Sequence, residues 1–164
     1  VALLSTLATN ALQTILTGET GLNMSIEQVG GIAGEPLAML SESQIVRQYI
    51  GVEAAEKSPV RYPMAYVYCE KVTNTLREKF RAISAKCRLV VEVRVSQDRV
   101  EGLEAQAQRY ADAVCDVLNH HRGDWGNGLY YGGGYEATFA AVRTGGRNYL
   151  QTAKITVDVD ICKE

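Results

Sequence analysis

Cys87-Arg88-Leu89-Val90-Val91-Glu92-Val93-Arg94-Val95-Ser96, followed closely by the run from Val100 to Leu118, decides the fold class. In the first stretch Cys87, Leu89, Val91, Val93 and Val95 occupy every second position, with Arg88, Glu92, Arg94 and Ser96 among the residues between them. Side chains alternate across a strand, so this period of two predicts a strand with one buried and one wet face, the usual state of an antiparallel sheet. In the second stretch Val100, Leu103, Ala107, Tyr110, Ala111, Val114, Val117 and Leu118 recur at three- and four-residue steps, which is one face of a helix. Asp98 or Ser96 is expected to cap that helix, and Asn119 to Arg122 to end it.

Working outward, Ile155, Val157, Val159 and Ile161 alternate with Thr156, Asp158 and Asp160, a second clear strand. Glu136–Val142 predicts the strand before it. Gly123 to Gly134 reads as a glycine-rich loop between helix and strand. Upstream, Met64, Tyr66 and Tyr68 alternate with Ala65, Val67 and Cys69, again a strand pattern. Residues 72–83 stay open: Val72, Leu76 and Phe80 are four apart, as in a helix, but their β-branched and aromatic surroundings also suit a long hairpin arm. Leu4, Ala8, Ala11, Leu12, Ile15 and Leu16 predict an N-terminal helix, with Gly18 at its C-cap.

Residues 19–60 are read as irregular, with short strands around Ile26–Val29 and Ser43–Ile50, because Gly30, Gly31, Gly34 and Pro36 break longer elements. The expectation is a single α+β domain over residues 1–164. It comprises an N-terminal helix (1–18), an irregular segment (19–60) and a sheet-and-helix core (61–164). The sheet is twisted and mainly antiparallel, with two main helices packed on one face.

Composition narrows the function classes. The 164 residues are 46% hydrophobic and 22% charged with a net charge of −2, which excludes a disordered chain and disfavours a wholly basic nucleic-acid surface. The stretch from Val1 to Leu16 has no basic flank, and Asn10 and Gln13 interrupt it, so it reads as neither signal peptide nor membrane span. Cys69, Cys87, Cys115 and Cys162 form no CxxC pair, and the two histidines are the adjacent His120 and His121. Zinc sites need several ligands at short repeated spacings, so no metal is expected, and the cysteines read better as free thiols, although their even count also permits disulfides.

Catalytic patterns are also missing. The glycines between Gly126 and Gly134 match neither GxGxxG nor GxxxxGK[ST], and they follow a helix rather than a strand. No GxSxG occurs. Asp158 and Asp160 share one strand face and read as solvated negative charge on an exposed strand. No cofactor is expected, and no catalytic residue is assigned.

Two segments suit binding instead. Between Arg77 and Arg88 there are five bases and one acid, with Arg77, Lys79 and Arg81 around the aromatic Phe80. An acidic partner or a nucleic-acid backbone would match it. The second segment places Trp125, Tyr130, Tyr131 and Tyr135 among glycines, and Arg143 and Arg147 flank the Gly145-Gly146 turn. Aromatic and arginine side chains supply large contact area, so both loops are read as protein-contact surfaces.

The runs Tyr66-Val67-Tyr68-Cys69-Glu70-Lys71-Val72, Leu76-Arg77-Glu78-Lys79-Phe80-Arg81, Val90-Val91-Glu92-Val93-Arg94-Val95-Ser96 and Arg122-Gly123-Asp124-Trp125-Gly126 resemble small structural proteins of tailed bacteriophages. So do Gly133-Gly134-Tyr135-Glu136, Gly145-Gly146-Arg147-Asn148 and Gln151-Thr152-Ala153-Lys154. The element order is similar to that of the tail-terminator family and of neighbouring neck proteins. The resemblance implies a non-enzymatic virion protein assembled in the host bacterial cytoplasm. It would form a homo-oligomeric ring, commonly a hexamer, between the tail-tube protein and the head-side connector. Genome DNA would pass through without specific binding. Two other classes stand beside this: a nucleic-acid-binding module using Arg77–Arg88, and a small enzyme with its site at the His120–Trp125 loop.

Overall fold

The computed structural model describes residues 3–55, 57, 60–75, 83–145 and 147–163. Helices α1 (Leu4–Thr17) and α2 (Leu22–Ala33) lead to a 3₁₀ turn (Glu42–Gln44), strand β1 (Ile45–Val46) and the short helix α3 (Val52–Ala55). Then come β2 (Met64–Asn74), β3 (Ile83–Gln97) and α4 (Leu103–His120). β4 (Gly123–Gly126), β5 (Leu129–Phe139), β6 (Arg143–Gly145) and β7 (Asn148–Lys163) complete the order. The strands form one sheet in the order β1-β2-β3-β7-β5-β4, with β6 pairing a short stretch of β7. All pairings are antiparallel except that of β1 with β2.

The alternations predicted for β3 and β7 meet in register: Leu89 faces Val157, Val91 faces Ile155 and Val93 faces Ala153. Their apolar face is covered by α1 and α4, which bury Ala8, Leu12 and Leu16 and the α4 stripe from Leu103 to Leu118. Each such leucine contributes about 1.5–3 kcal/mol relative to exposure. The α+β class, the twisted sheet and the two main helices on one face are as the sequence predicts.

Several elements differ from expectation. Ile26–Val29 belongs to α2, not to a strand. Leu22, Ile26 and Gly30 sit at helical spacing on its buried side. Of the glycines that suggested a break, Gly30 serves packing there, since a Cβ on it would lie 3.1 Å from the Glu35 carbonyl, whereas Gly31 faces open space. Gly34, at φ 72°, ends the helix in the left-handed conformation. α2 rests on α4, where the Ser25 hydroxyl donates to Asp116 at 2.7 Å and Arg109 pairs with Glu35 at 2.6 Å.

The strand expected over Ser43–Ile50 shrinks to the two residues of β1, because Gln44 folds back to accept the Ser41 amide proton and closes a turn. Gly18 does cap α1, but with extended backbone rather than left-handed. At α4 the cap is Gly102 at φ 79°, not Asp98 or Ser96. The turn before it is held by the Gln97 amide donating to the carbonyls of Arg99 and Glu101.

The loop expected over Gly123–Gly134 is a β-hairpin. β4 and β5 are joined by Asn127-Gly128, both at positive φ (52° and 81°), the backbone of a type I′ turn. The strand expected over Glu136–Val142 therefore starts earlier, at Leu129, and ends at Phe139. Residues 72–74 continue β2 as an arm of the β2–β3 hairpin, and 76–82 lie outside the described residues.

The second sheet face is not uniformly wet. Val46, Ile50, Val60 and Tyr62 pack on it and cover Met64, Tyr66, Tyr68 and Val90. Arg94, expected in solvent, is 2% exposed beneath this cover. Its Nη2 donates to the Ile50 carbonyl and to Glu92, and its guanidinium stands 4.3 Å over the Tyr66 ring.

Candidate assembly interface

The two predicted binding segments fare differently. Arg77, Lys79, Phe80 and Arg81 lie outside the described residues. Of the same basic run, Arg88 and Lys86 stand on the second sheet face opposite Asp158 and Asp160 of β7. Arg88 pairs with Asp158 at 3.3 Å, and Lys154 pairs with Glu70 at 2.8 Å. Asp158 and Asp160 therefore do not guard an exposed edge. β7 is interior to the sheet, and its acids balance the bases of β3.

The aromatic segment divides three ways. Tyr131 is part of the core, 0% exposed, and the half-buried Trp125 ring packs 5.4 Å from it. Trp125 Nε1 donates to the His121 carbonyl at 2.7 Å, and the Tyr131 hydroxyl donates to Gly134 at 3.1 Å. Burial pushes the Tyr131 phenol up to about 12. Tyr130 is exposed on the charged face, opposite Asp160. Tyr135 is exposed on the helix face, opposite Val157 and hydrogen-bonded by Asn119. Arg143 and Arg147 are exposed at the β6–β7 turn.

The histidines use their Nδ1–H groups on backbone: His120 on Asp116 O and His121 on Val117 O, both at 2.8 Å. Among the described residues no group of three or more His, Cys, Asp or Glu side chains is placed to hold a metal. Cys69, Cys87, Cys115 and Cys162 are free thiols. Burial, reinforced by Cys69, pushes Cys87 up to about 11. Burial, reinforced by Asp112, does the same for Cys115. No helix among the described residues is long and apolar enough to cross a membrane.

The surface features that sequence reasoning missed are the two sheet edges. β1 pairs β2 only at Ala65 and Tyr66, so Val67–Asn74 has no outer partner among the described residues. At the other end β4 pairs β5 only from Leu129 to Tyr131, so Gly132–Phe139 is likewise unpaired on its outer side. Both free edges are eight residues long, and each carries a register irregularity, at Cys69/Lys71 in β2 and between Tyr131 and Tyr135 in β5. Neither contains proline, and the charged residues on the two are Glu70, Lys71 and Glu136. They carry exposed apolar side chains: Val72 (45%), Tyr135 (40%) and Phe139 (41%). Folded proteins ordinarily protect such edges with charge, proline or cover, because unpaired backbone groups invite another strand. No sequence signal exposes these edges, since strand order depends on pairings remote in the chain.

No family model matches the chain, and no curated protein matches its sequence.

Proposed function

We propose that this chain is a structural virion protein of a tailed phage, a tail-terminator-like ring subunit that closes on itself through its two sheet edges. The observation that carries the ring is the pair of free edges, equal in length and at opposite ends of one sheet. Counting across the sheet from β2, through β3 and β7 to β5, strand direction alternates, so β5 runs opposite to β2. Rotation about an axis along the strands preserves direction, so the β5 edge of one copy meets the β2 edge of the next antiparallel.

The obstructions support that arrangement. β4 blocks β5 before Gly132, and β1 blocks β2 before Val67. Antiparallel pairing puts these blocks at opposite ends of the shared eight residues, whereas parallel pairing would drive β4 into β1. A contact between two different surfaces of one chain generates a ring when its rotation closes. The tail-terminator assignment, with tail tube and connector as neighbours, rests on the sequence resemblance.

Native mass spectrometry tests the ring: a closed multiple of the 17.9 kDa chain is expected, six copies for a terminator. Val72→Lys, which puts a charge at the β2 edge, is expected to give monomer. A wild-type chain that stays monomeric at high concentration and beside a tail-tube partner sinks the reading. The nucleic-acid alternative instead predicts salt-sensitive DNA binding that is lost on replacing Arg77, Lys79 and Arg81 by alanine.

A further inference from the structure

The helix layer does not cover the sheet evenly. At the β2 end it reaches the edge: α1 lies over β2 and β3, and its Ser5, Thr6 and Thr9 flank the same groove as Val67 and Cys69. At the β5 end it stops short. Tyr135, Ala137 and Phe139 stand opposite Val157, Ile155 and Ala153, so their side chains are on the helix face. Yet all three are exposed. The result is a bare apolar ledge on the helix side of β5. Beside it, between α2 and α4, lies a hollow of about 300 Å³ that Tyr135 shares with Val29, Ile32 and Cys115.

α1 has a matching peculiarity. From Leu4 to Thr17 it contains no charged residue, and its exposed positions include Ser5, Thr6, Asn10 and Thr14. Leu3 just before it is 61% exposed. A surface helix ordinarily turns charged residues to water. Depletion of charged residues marks the core of a contact surface.

We infer that α1 of each copy lies on the Tyr135–Ala137–Phe139 ledge of its neighbour. This rests on the edge-to-edge ring proposed above and names a second contact within the same junction. The occupant follows from continuity. Neighbouring strands are about 4.8 Å apart, so pairing β2 with the next copy's β5 leaves that β5 one strand away from the ground α1 already covers. Rotation about the ring axis keeps the helix faces of both sheets on the same side. α1 then overhangs the ledge, with Leu3 toward Tyr135 and Thr6 and Thr9 toward Phe139, and completes the cover that α4 leaves unfinished.

The test places a benzophenone photo-crosslinker at residue 139 in a mixture of ¹⁴N- and ¹⁵N-labelled protein. Mixed-isotope adducts to residues 3–14 are expected. Thr6→Glu with Asn10→Glu, and separately Phe139→Ser, are expected to weaken association about tenfold or more. Circular dichroism melting of each variant under dissociating conditions, matching the wild-type monomer, shows that the subunit still folds. If wild type assembles and Val72→Lys dissociates it, while these variants assemble normally and adducts fall elsewhere, the ledge inference is overturned and the edge junction stands. A monomeric wild type overturns both.

Discussion

At the scale of single residues, the least expected position belongs to Arg94. Its strand pattern assigns it to water, but it is buried between Ile50 and the Tyr66 ring. There its charge is met by Glu92 at 2.7 Å, by the Ile50 carbonyl and by the face of Tyr66. Removing one partner of a buried ion pair leaves the other desolvated and alone. Arg94→Ala is therefore expected to destabilise the fold by about 3–5 kcal/mol, read from urea unfolding, while Arg94→Met costs less because it refills the volume.

The buried thiols give a second residue-scale prediction. Cys87 and Cys115 have folded pKa values of about 11, raised above the unfolded value. Their neutral forms therefore add stability that is fully present below about pH 8.5 and is lost as pH climbs toward 11. Replacing both by alanine is expected to flatten the alkaline decline in melting temperature between pH 8 and 11, relative to wild type.

At the scale of elements, the β4–β5 hairpin hinges on Asn127-Gly128. Gly128 combines φ 81° with an approach so close that a Cβ would collide with the Cys162 carbonyl. Gly128→Ala is expected to cost about 1–3 kcal/mol and to loosen the hairpin, seen as lost amide-exchange protection in β4. That dipeptide was legible as a hairpin signal, but the glycines around it made the whole stretch look like loop. The strands and α4 were legible because Cys87–Val95, Ile155–Ile161 and Val100–Leu118 each keep one period over enough residues to outvote local noise. α2 was not, because Gly30, Gly31 and Gly34 score as breakers until Gly30 is seen to pack and Gly34 to cap. The burial of Tyr131 was illegible for a related reason. An aromatic ring among glycines looks the same in sequence whether it faces water or packs beneath α1 and α4. Tyr130 and Tyr135 were identified as exposed, but their placement on opposite faces depends on hairpin register.

At the scale of the whole molecule, the reading stands on strand order, which no local pattern encodes. A ring subunit gains stability from its neighbours by mass action. The melting temperature of wild type is expected to rise with protein concentration, and that of Val72→Lys to stay constant, in scanning calorimetry across a hundredfold dilution series. Equal slopes for the two proteins would speak against association through β2.

The pairing of β7 also governs timing. β7 lies between β3 and β5, and every other strand precedes it in the chain. Ile83 waits for Lys163, and Gln97 for Tyr149, before the middle of the sheet exists. Such distant pairings close slowly, because the intervening chain must first be gathered in. β5 gains its inner neighbour only when β7 arrives. During synthesis, then, the sheet cannot present both of its open borders together until β7 has been made and seated. For the edge-to-edge ring proposed above, nascent copies lacking it would have no complete edge pair to offer one another, so the order of translation itself would hold back premature polymerisation.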